Sequence, residues 1–189
     1  MQKPLIVMAL ESEGQGLIEP LGFDVLYCGV GKINAAYQLM RRLLADRDHK
    51  HNFSYILNMG SAGSKVFPTN ALVAADRFIQ HDMNVTGLGF AHGETPFDPT
   101  PSTITFPRHF GNLPHGICGS GDSFVQGDLK VVCDIVDMEA YALAKICLHE
   151  SLPFACVKYI TDGADTNASH DWQTNLKRAA EKFADLLRI

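Results

Sequence analysis

The sequence has no long apolar run, no excess of positive charge and no pair of cysteines at C-x-x-C spacing. Its first apolar run, Pro4–Leu10, is cut off by acidic residues and is too short for a signal-peptide core or a membrane span. Its 16 Lys and Arg residues are outnumbered by 21 Asp and Glu residues, which gives a net charge of -5. These absences argue against a membrane protein and against a nucleic-acid-binding protein.

The cysteines argue against a disulfide framework. There are five, an odd number, and four of them lie in apolar surroundings, as buried reduced thiols of a cytoplasmic protein do. The chain has 189 residues, of which 46% are hydrophobic, so it can bury a sizeable core without crosslinks. We therefore expect a cytoplasmic protein that forms one domain over residues 1–189.

Apolar runs alternate with helical patterns along the chain, which predicts a three-layer α/β/α fold. Runs of Val, Ile and Leu without polar alternation indicate strands covered on both faces. The predicted strands are Pro4–Leu10, Asp24–Gly29, Tyr55–Met59, Ala71–Gln80, His115–Cys118, Val131–Val136 and Phe154–Ile160. The predicted helices are Gly31–Arg47, Met138–Glu150 and Trp172–Ile189, the last with cap candidates in Ser169–Asp171. The Gly- and Pro-rich stretch around Thr86–Pro114 is expected to form a loop or a lid.

Small residues and carboxylates follow six of the predicted strands. They lie in Glu11–Glu13, Val30–Lys32, Gly60–Gly63, Ser120–Phe124, Asp137–Glu139 and Thr161–Asp165. Acidic residues at a helix start can simply complement the helix dipole. Six such strand ends are expected to meet at one rim, where ligands of α/β sheets bind. Glu13 as a base, Glu139 as a hydroxyl binder and Asp162 as an acid would then form a set able to cleave a glycosidic bond.

Two other patterns are weaker. The glycine turn Gly29–Lys32 precedes a helix but lacks the G-x-G-x-x-G pattern and the P-loop spacing, so a Rossmann-like cofactor protein is the least favoured alternative. The two histidines of Asp48–Asn52 are interpreted as part of a solvated loop rather than a metal site.

Six motifs together resemble those of the purine nucleoside phosphorylase/uridine phosphorylase superfamily, most closely its 5′-methylthioadenosine/S-adenosylhomocysteine nucleosidase branch. They are GVGKINAA, NMGSAG, HDMNVTGLGF, SGDSFV, VDMEAYALA and ITDGAD, which begin at residues 29, 58, 81, 120, 136 and 160. Each motif alone is weak, but six in the same order cover nearly the whole chain. The resemblance implies a three-layer α/β/α fold around a central mixed β-sheet.

The resemblance also implies catalytic roles for two carboxyl groups. Glu13 matches the base that activates a water toward C1′, and Asp162 matches the acid that protonates N7 of the departing adenine. Adenine leaves poorly as an anion, so Asp162 is expected to hold a proton, which burial favours. The cationic ribosyl centre between the two is stabilised by surrounding negative charge.

Five further residues match substrate-binding positions of these nucleosidases. Met138 is expected to pack against the ribose, and Glu139 to bind its hydroxyl groups. Phe124 matches the aromatic residue that stacks on the base, and Val125 matches the neighbour whose backbone contacts the purine edge. Ser61 matches a serine near the nucleophilic water. No metal and no organic cofactor is implied.

The resemblance leaves hydrolysis and phosphorolysis to be distinguished. Purine phosphorylases of the superfamily commonly carry an arginine before the G-S-x-G turn, since phosphate needs cationic donors. Asn58 occupies that position here, and after Lys32 the next arginine is Arg41. We therefore favour water as the nucleophile. The alternatives are a phosphate-dependent phosphorylase, and a nucleoside-binding relative with lost or changed activity, for example on a futalosine-type substrate.

Several features depart from the family pattern. The chain is shorter than is usual, and the segments between Gly14 and Asp24 and before Gly116 look trimmed. Asp137 replaces a commoner glutamate, which is expected to shorten one contact on the ribose side. The resemblance implies a small-molecule nucleoside substrate and a homodimer, whereas the sequence itself indicates no interface.

Overall fold

The computed structural model describes residues 2–46, 53–125, 127, 129–164 and 168–188, without the side chains of 168–174. Segment 48–52, Asp165 and the cap candidates at 169–171 therefore lie outside the described residues or side chains.

Eight strands and four α-helices make up the described chain. The strands are β1 (Leu5–Met8), β2 (Asp24–Tyr27), β3 (Ile56–Gly63), β4 (Leu72–Gln80), β5 (Thr103–Thr105), β6 (His115–Ser120), β7 (Ile135–Asp137) and β8 (Phe154–Asp162). The helices are α1 (Glu11–Gly14), α2 (Lys32–Asp46), α3 (Ala140–His149) and α4 (Ala168–Leu187). Every predicted strand and helix overlaps one of these elements, whereas the short elements α1 and β5 were not predicted.

The eight strands form one mixed sheet that curls until it closes. Strands β1, β2, β3 and β8 run in one direction, and β4, β6 and β7 run in the opposite direction. The ring β3–β8–β4–β6–β7 is closed by one antiparallel pair between Gly63 and Val136. Since these two residues lie near the carboxyl ends of β3 and β7, the ends of opposed strands meet there. This closure of the ring brings close together the six strand ends that carry small residues and carboxylates.

Helices cover both sides of the sheet, which confirms the predicted three layers. On one side, buried residues of α2 and α3 such as Leu39 and Leu143 join the core that includes Phe154 and Cys156 of β8. On the other side, Phe183 of α4 packs with the alternate residues of β8, including Val157 and Tyr159. The apolar run of β8 is thus buried on both faces.

A buried ion pair crosses the apolar interior. Lys158 Nζ of β8 lies 2.7 Å from Asp137 Oδ2 of β7, and both side chains are only 1% exposed. Burial acts to lower the pKa of Lys158, but the Asp137 carboxylate outweighs it and holds that pKa well above the usual value. Burial likewise acts to raise the pKa of Asp137, and Lys158 holds it below the usual value. Both groups are therefore charged, and they tie β7 to β8 across the ring.

Strand β7 is shorter than the predicted run Val131–Val136. Residues 131–134 precede it without strand structure, and Val132 is 82% exposed. Asp134 instead bonds to β6, because its Oδ2 accepts a hydrogen bond from the N–H of Ile117 at 2.7 Å. The apolar character of Val131–Val136 therefore did not show that its first four residues lie outside the strand and are at least partly exposed.

Residues 86–114 form a long surface segment that contacts both the sheet and a helix. Its strand β5 pairs with β4, and Arg108 donates a hydrogen bond to Asp76 of β4 at 2.6 Å. Asp98 forms an ion pair with Lys145 of α3. These contacts hold residues 86–114 against the sheet and against α3.

Candidate active site

A cavity of about 360 Å³ opens where the carboxyl ends of the strands meet. Its walls are formed by Ala9, Leu10, Glu13, Val30, Ser61, Ala62, Gly63, Phe124, Val125, Val136, Asp137, Met138, Glu139, Thr161 and Asp162. All seven residues singled out in the sequence lie in this wall. Their chemical roles stay predictions at this point.

Glu13 is held by four donors at the base of the cavity. The N–H and Oγ of Ser61 donate to its Oε1 at 2.8 and 2.7 Å. The N–H groups of Ala9 and Leu10 donate to its Oε2 at 3.0 and 3.2 Å. The short helix α1 brings the side chain back over the end of β1, where it is 3% exposed. Both carboxylate oxygens act as acceptors, so the group is fixed in position.

Asp162 ends β8 on the opposite side of the cavity wall and is 3% exposed. Thr161 Oγ1 donates to its Oδ2 at 2.8 Å, and the N–H of Ala164 donates to its Oδ1 at 2.9 Å. A Cβ at position 63 would lie 2.6 Å from Oδ1, so only glycine fits beside this carboxyl group. The glycine at the end of β3 thus has a packing reason.

Glu139 lies between β7 and α3, and its Oε1 accepts a hydrogen bond from the N–H of Gly31 at 2.8 Å. Burial, and next the negative charge of Asp137, raise the pKa of Glu139 to about 8. Lys158 and the Gly31 N–H act in the opposite direction without cancelling this. These surroundings therefore favour the protonated form of Glu139 at neutral pH.

The apolar part of the wall comes from the remaining predicted residues. Met138 precedes Glu139 in the wall, and Phe124 and Val125 follow β6. Phe124 is half-exposed and presents an aromatic face on which a planar ring can stack.

The carboxylate of Asp137 is held by three partners at the end of β7. Ser120 Oγ donates to its Oδ1 at 2.5 Å, and the N–H of Ala140 donates to its Oδ2 at 2.9 Å. With the Lys158 ion pair, these bonds turn the carboxylate toward the interior and the start of α3. Asp137 thus forms part of the cavity wall while its carboxylate is bonded to Ser120, Ala140 and Lys158.

The wall contains carboxyl groups but no lysine, arginine or histidine among its described residues. Asn58 is buried below the cavity, where its Nδ2 donates to the Val7 carbonyl at 3.0 Å. Lys32 lies outside the wall and is paired with Asp82 and, more distantly, with Asp122. Over the described part of the chain, no group of three His, Cys, Asp or Glu side chains could hold a metal ion. Within the same limits, no helix is long and apolar enough to cross a membrane.

Sequence reasoning missed two contributors to the site. Lys158 was hidden in the apolar run Phe154–Ile160, although a lysine in a strand buried on both faces is itself a signal of a buried partner. Thr161, which donates to Asp162, carries no such signal because threonine is common in strands.

The fold is that of an α/β protein, and a cavity of the size that small molecules occupy lies at its strand ends. The chain belongs to the phosphorylase superfamily, whose family model matches residues 25–189. The resemblance carried by the six motifs is thereby confirmed for the superfamily.

Two similar proteins carry the name of a specific enzyme. The chain is 29% identical to a 5′-methylthioadenosine/S-adenosylhomocysteine nucleosidase of Haemophilus influenzae, over 92% of this chain and 82% of the relative. It is 28% identical to a nucleosidase of the same name from Geobacillus thermodenitrificans, over 91% of this chain and 80% of the relative.

Solved structures confirm the fold. The nucleosidase of that name from Helicobacter pylori matches with a TM-score of 0.85 at 22% identity, over 100% of this chain and 97% of that chain. The futalosine hydrolase of Helicobacter pylori matches with a TM-score of 0.86 at 22% identity, over 99% of this chain and 96% of that chain.

The raised pKa of Glu139 predicts how stability changes with pH. Above the ordinary glutamate pKa of 4.5 the unfolded chain loses this proton, while the folded chain keeps it until about pH 8. The contribution of Glu139 to the free energy of unfolding is therefore fully present below pH 4.5. It is lost as the pH rises through 8, by up to about 1.4 kcal/mol per pH unit. Glu139→Gln lacks this dependence. Urea unfolding measures the free energy of unfolding of both proteins. Between pH 5 and 9 this free energy should rise by a few kcal/mol in the variant relative to the wild type.

The exposed Glu11 at the same end of β1 supplies the matched control. Glu11→Gln should follow the wild-type stability curve at every pH. A constant difference between Glu139→Gln and the wild type would contradict the prediction.

Proposed function

We propose that this chain hydrolyses the N-glycosidic bond of a purine nucleoside, with 5′-methylthioadenosine and S-adenosylhomocysteine as the first candidate substrates. The carrying observation is the cavity wall, which places Glu13, Glu139 and Asp162 together and contributes no cationic side chain. The names of the curated relatives support the same substrate class.

The proposed reaction uses two carboxyl groups in opposite roles. Glu13 takes a proton from a water whose oxygen forms the new bond to C1′. Asp162 gives a proton to N7 of the purine, so the C1′–N9 bond breaks and adenine leaves neutral. Between these events the ribosyl group is cationic, and the ionised carboxyl groups around it stabilise it. The four donors on Glu13 support its role, because a base must be held in position before the water arrives.

The substrate is proposed to lie along the wall between these two groups. Phe124 stacks on the base, and the backbone of Val125 contacts the purine edge. Met138 packs against the ribose, and Glu139 accepts hydrogen bonds from its hydroxyl groups. Ser61, which donates twice to Glu13, lies beside the attacking water.

Water is favoured over phosphate on electrostatic grounds. Phosphate needs positively charged donors, and both Lys32 and Lys158 are already paired, with Asp82 at 2.5 Å and with Asp137 at 2.7 Å. Asn58, at the position of the phosphorylase arginine, points into the core. A phosphate ion would enter a wall of carboxyl groups without a counter-charge.

The direct test is adenine release from 5′-methylthioadenosine, followed by chromatography with and without phosphate. We expect equal rates in both conditions. Release that requires phosphate would identify a phosphorylase, and no release from this substrate or from other purine nucleosides would contradict the proposed activity. Release only from a nucleoside with another 5′ group would change the substrate and keep the reaction.

Two isosteric variants test the catalytic roles. Asp162→Asn should reduce kcat by at least about a hundredfold while 5′-methylthioadenosine still binds, because the amide cannot deliver the proton to N7. Glu13→Gln should lose turnover with only a modest loss of affinity. Rapid-quench turnover and calorimetric binding measure the two effects separately. Unchanged turnover in either variant would remove that residue from its role. If Glu13→Gln is the active variant, Glu11 becomes the alternative base.

We propose that the chain is a single-domain subunit of a homodimer in the cytoplasm. The five cysteines are free thiols, and four of them are buried, which supports a reducing compartment. On α2, Ile33, Tyr37 and Leu44 form an exposed apolar stripe, with Ile33 80% exposed. The stripe begins beside Val30 of the cavity wall, so a second copy packed there would also lie next to the cavity.

Sedimentation equilibrium tests the dimer. Ile33→Lys should shift the wild-type dimer toward monomer, since a charge would be buried in the interface. Val66→Lys places the same charge on another exposed apolar side chain and should leave the dimer intact. A monomeric wild type, or equal behaviour of the two variants, would contradict this interface.

A further inference from the structure

Three motif residues that do not line the cavity meet directly beside it. Lys32 Nζ lies 2.5 Å from Asp82 Oδ1 and 3.7 Å from Asp122 Oδ2. The N–H of Lys32 donates to Asp122 Oδ1 at 2.8 Å, and the N–H of Asp122 donates to Asp82 Oδ2 at 2.8 Å. We call Lys32, Asp82 and Asp122 the lysine–aspartate clamp. It joins the start of α2 to the segments that follow β4 and β6.

The clamp holds the backbone next to Glu139. Gly31 precedes Lys32 and donates its N–H to Glu139 Oε1 at 2.8 Å. Its φ of +94° is one that glycine adopts easily, and a Cβ there would lie 3.1 Å from Asp122 Oδ1. Gly31 is therefore confined between Asp122 and Glu139. Its N–H cannot move away from the carboxylate without disturbing the clamp.

We propose that Lys32, Asp82 and Asp122 are positioning residues that fix the Glu139 carboxyl group for the ribose hydroxyls of the substrate. The inference rests on the proposed function, in which Glu139 binds those hydroxyls. The chain of contacts runs from Lys32 and Asp122 to Gly31 and from Gly31 to Glu139. None of the three clamp residues lines the cavity.

A purely structural role for the clamp makes a different prediction. Its side chains are partly exposed, and ion pairs of that kind stabilise a fold by little. If the clamp only supported the fold, its loss would affect all substrates alike. If it positions Glu139, the loss should fall on substrates that carry ribose hydroxyls.

The test compares 5′-methylthioadenosine with its 2′,3′-dideoxy analogue, which offers Glu139 no hydroxyl. In Lys32→Met we expect kcat/KM for 5′-methylthioadenosine to fall by at least about tenfold, because one charge-assisted hydrogen bond is misplaced. For the dideoxy analogue we expect a change of less than about threefold. Asp82→Asn keeps the shape of the side chain without its charge and should show the same selectivity. Lys32→Arg, which keeps the charge, should recover part of the loss.

Lys145→Met is the matched control, since it breaks the ion pair with Asp98 on a surface away from the cavity. It should change neither substrate. Equal losses on both substrates in Lys32→Met, or no loss on either, would overturn the positioning role while leaving the proposed hydrolysis intact. A wild-type chain that cleaves no purine nucleoside would instead overturn the proposed function and this inference with it.

Discussion

The ion pair between Lys158 and Asp137 is the constraint on which the geometry of the site depends. Both charges are buried, so moving one strand away from the other would leave an uncompensated charge in the core, at a cost of about 3–5 kcal/mol. Lys158 lies on the same strand as Asp162, and Asp137 precedes Glu139 by two residues. The pair therefore constrains the distance between Asp162, the proposed proton donor, and Glu139, the proposed hydroxyl binder, although it includes neither.

The same pair sets the charge balance of the cavity. Burial, and next the negative charge of Asp137, raise the pKa of Glu139, and Lys158 opposes this. The ionised form of Glu139 is thus disfavoured by its surroundings. Glu13 differs, because four donors from Ser61, Ala9 and Leu10 surround it.

The sequence predicted much of this because the main strands are apolar runs and the site residues follow them. It could not predict the closed ring, since the pairing of Gly63 with Val136 joins residues far apart in the chain and leaves no periodic pattern. The start of β7 was placed too early because Val132 is apolar yet exposed. The strand β5 was missed because three residues within a proline-rich stretch show no alternation. The clamp residues were visible only as motif letters, since their meeting depends on the ends of β4 and β6 and the start of α2.

The choice of nucleophile follows from these charges more than from any one residue. At about 5 Å and an effective dielectric constant near 20, two like unit charges repel by about 3 kcal/mol. A phosphate ion would meet such repulsion from every ionised carboxyl group in the wall, and a neutral water meets none. A cation placed at Asn58 could not offset it, because that side chain points into the core beside Val7. Lys32 could do so only by breaking its ion pairs with Asp82 and Asp122. Lys158 could do so only by leaving Asp137, which would separate the two charges buried in the core.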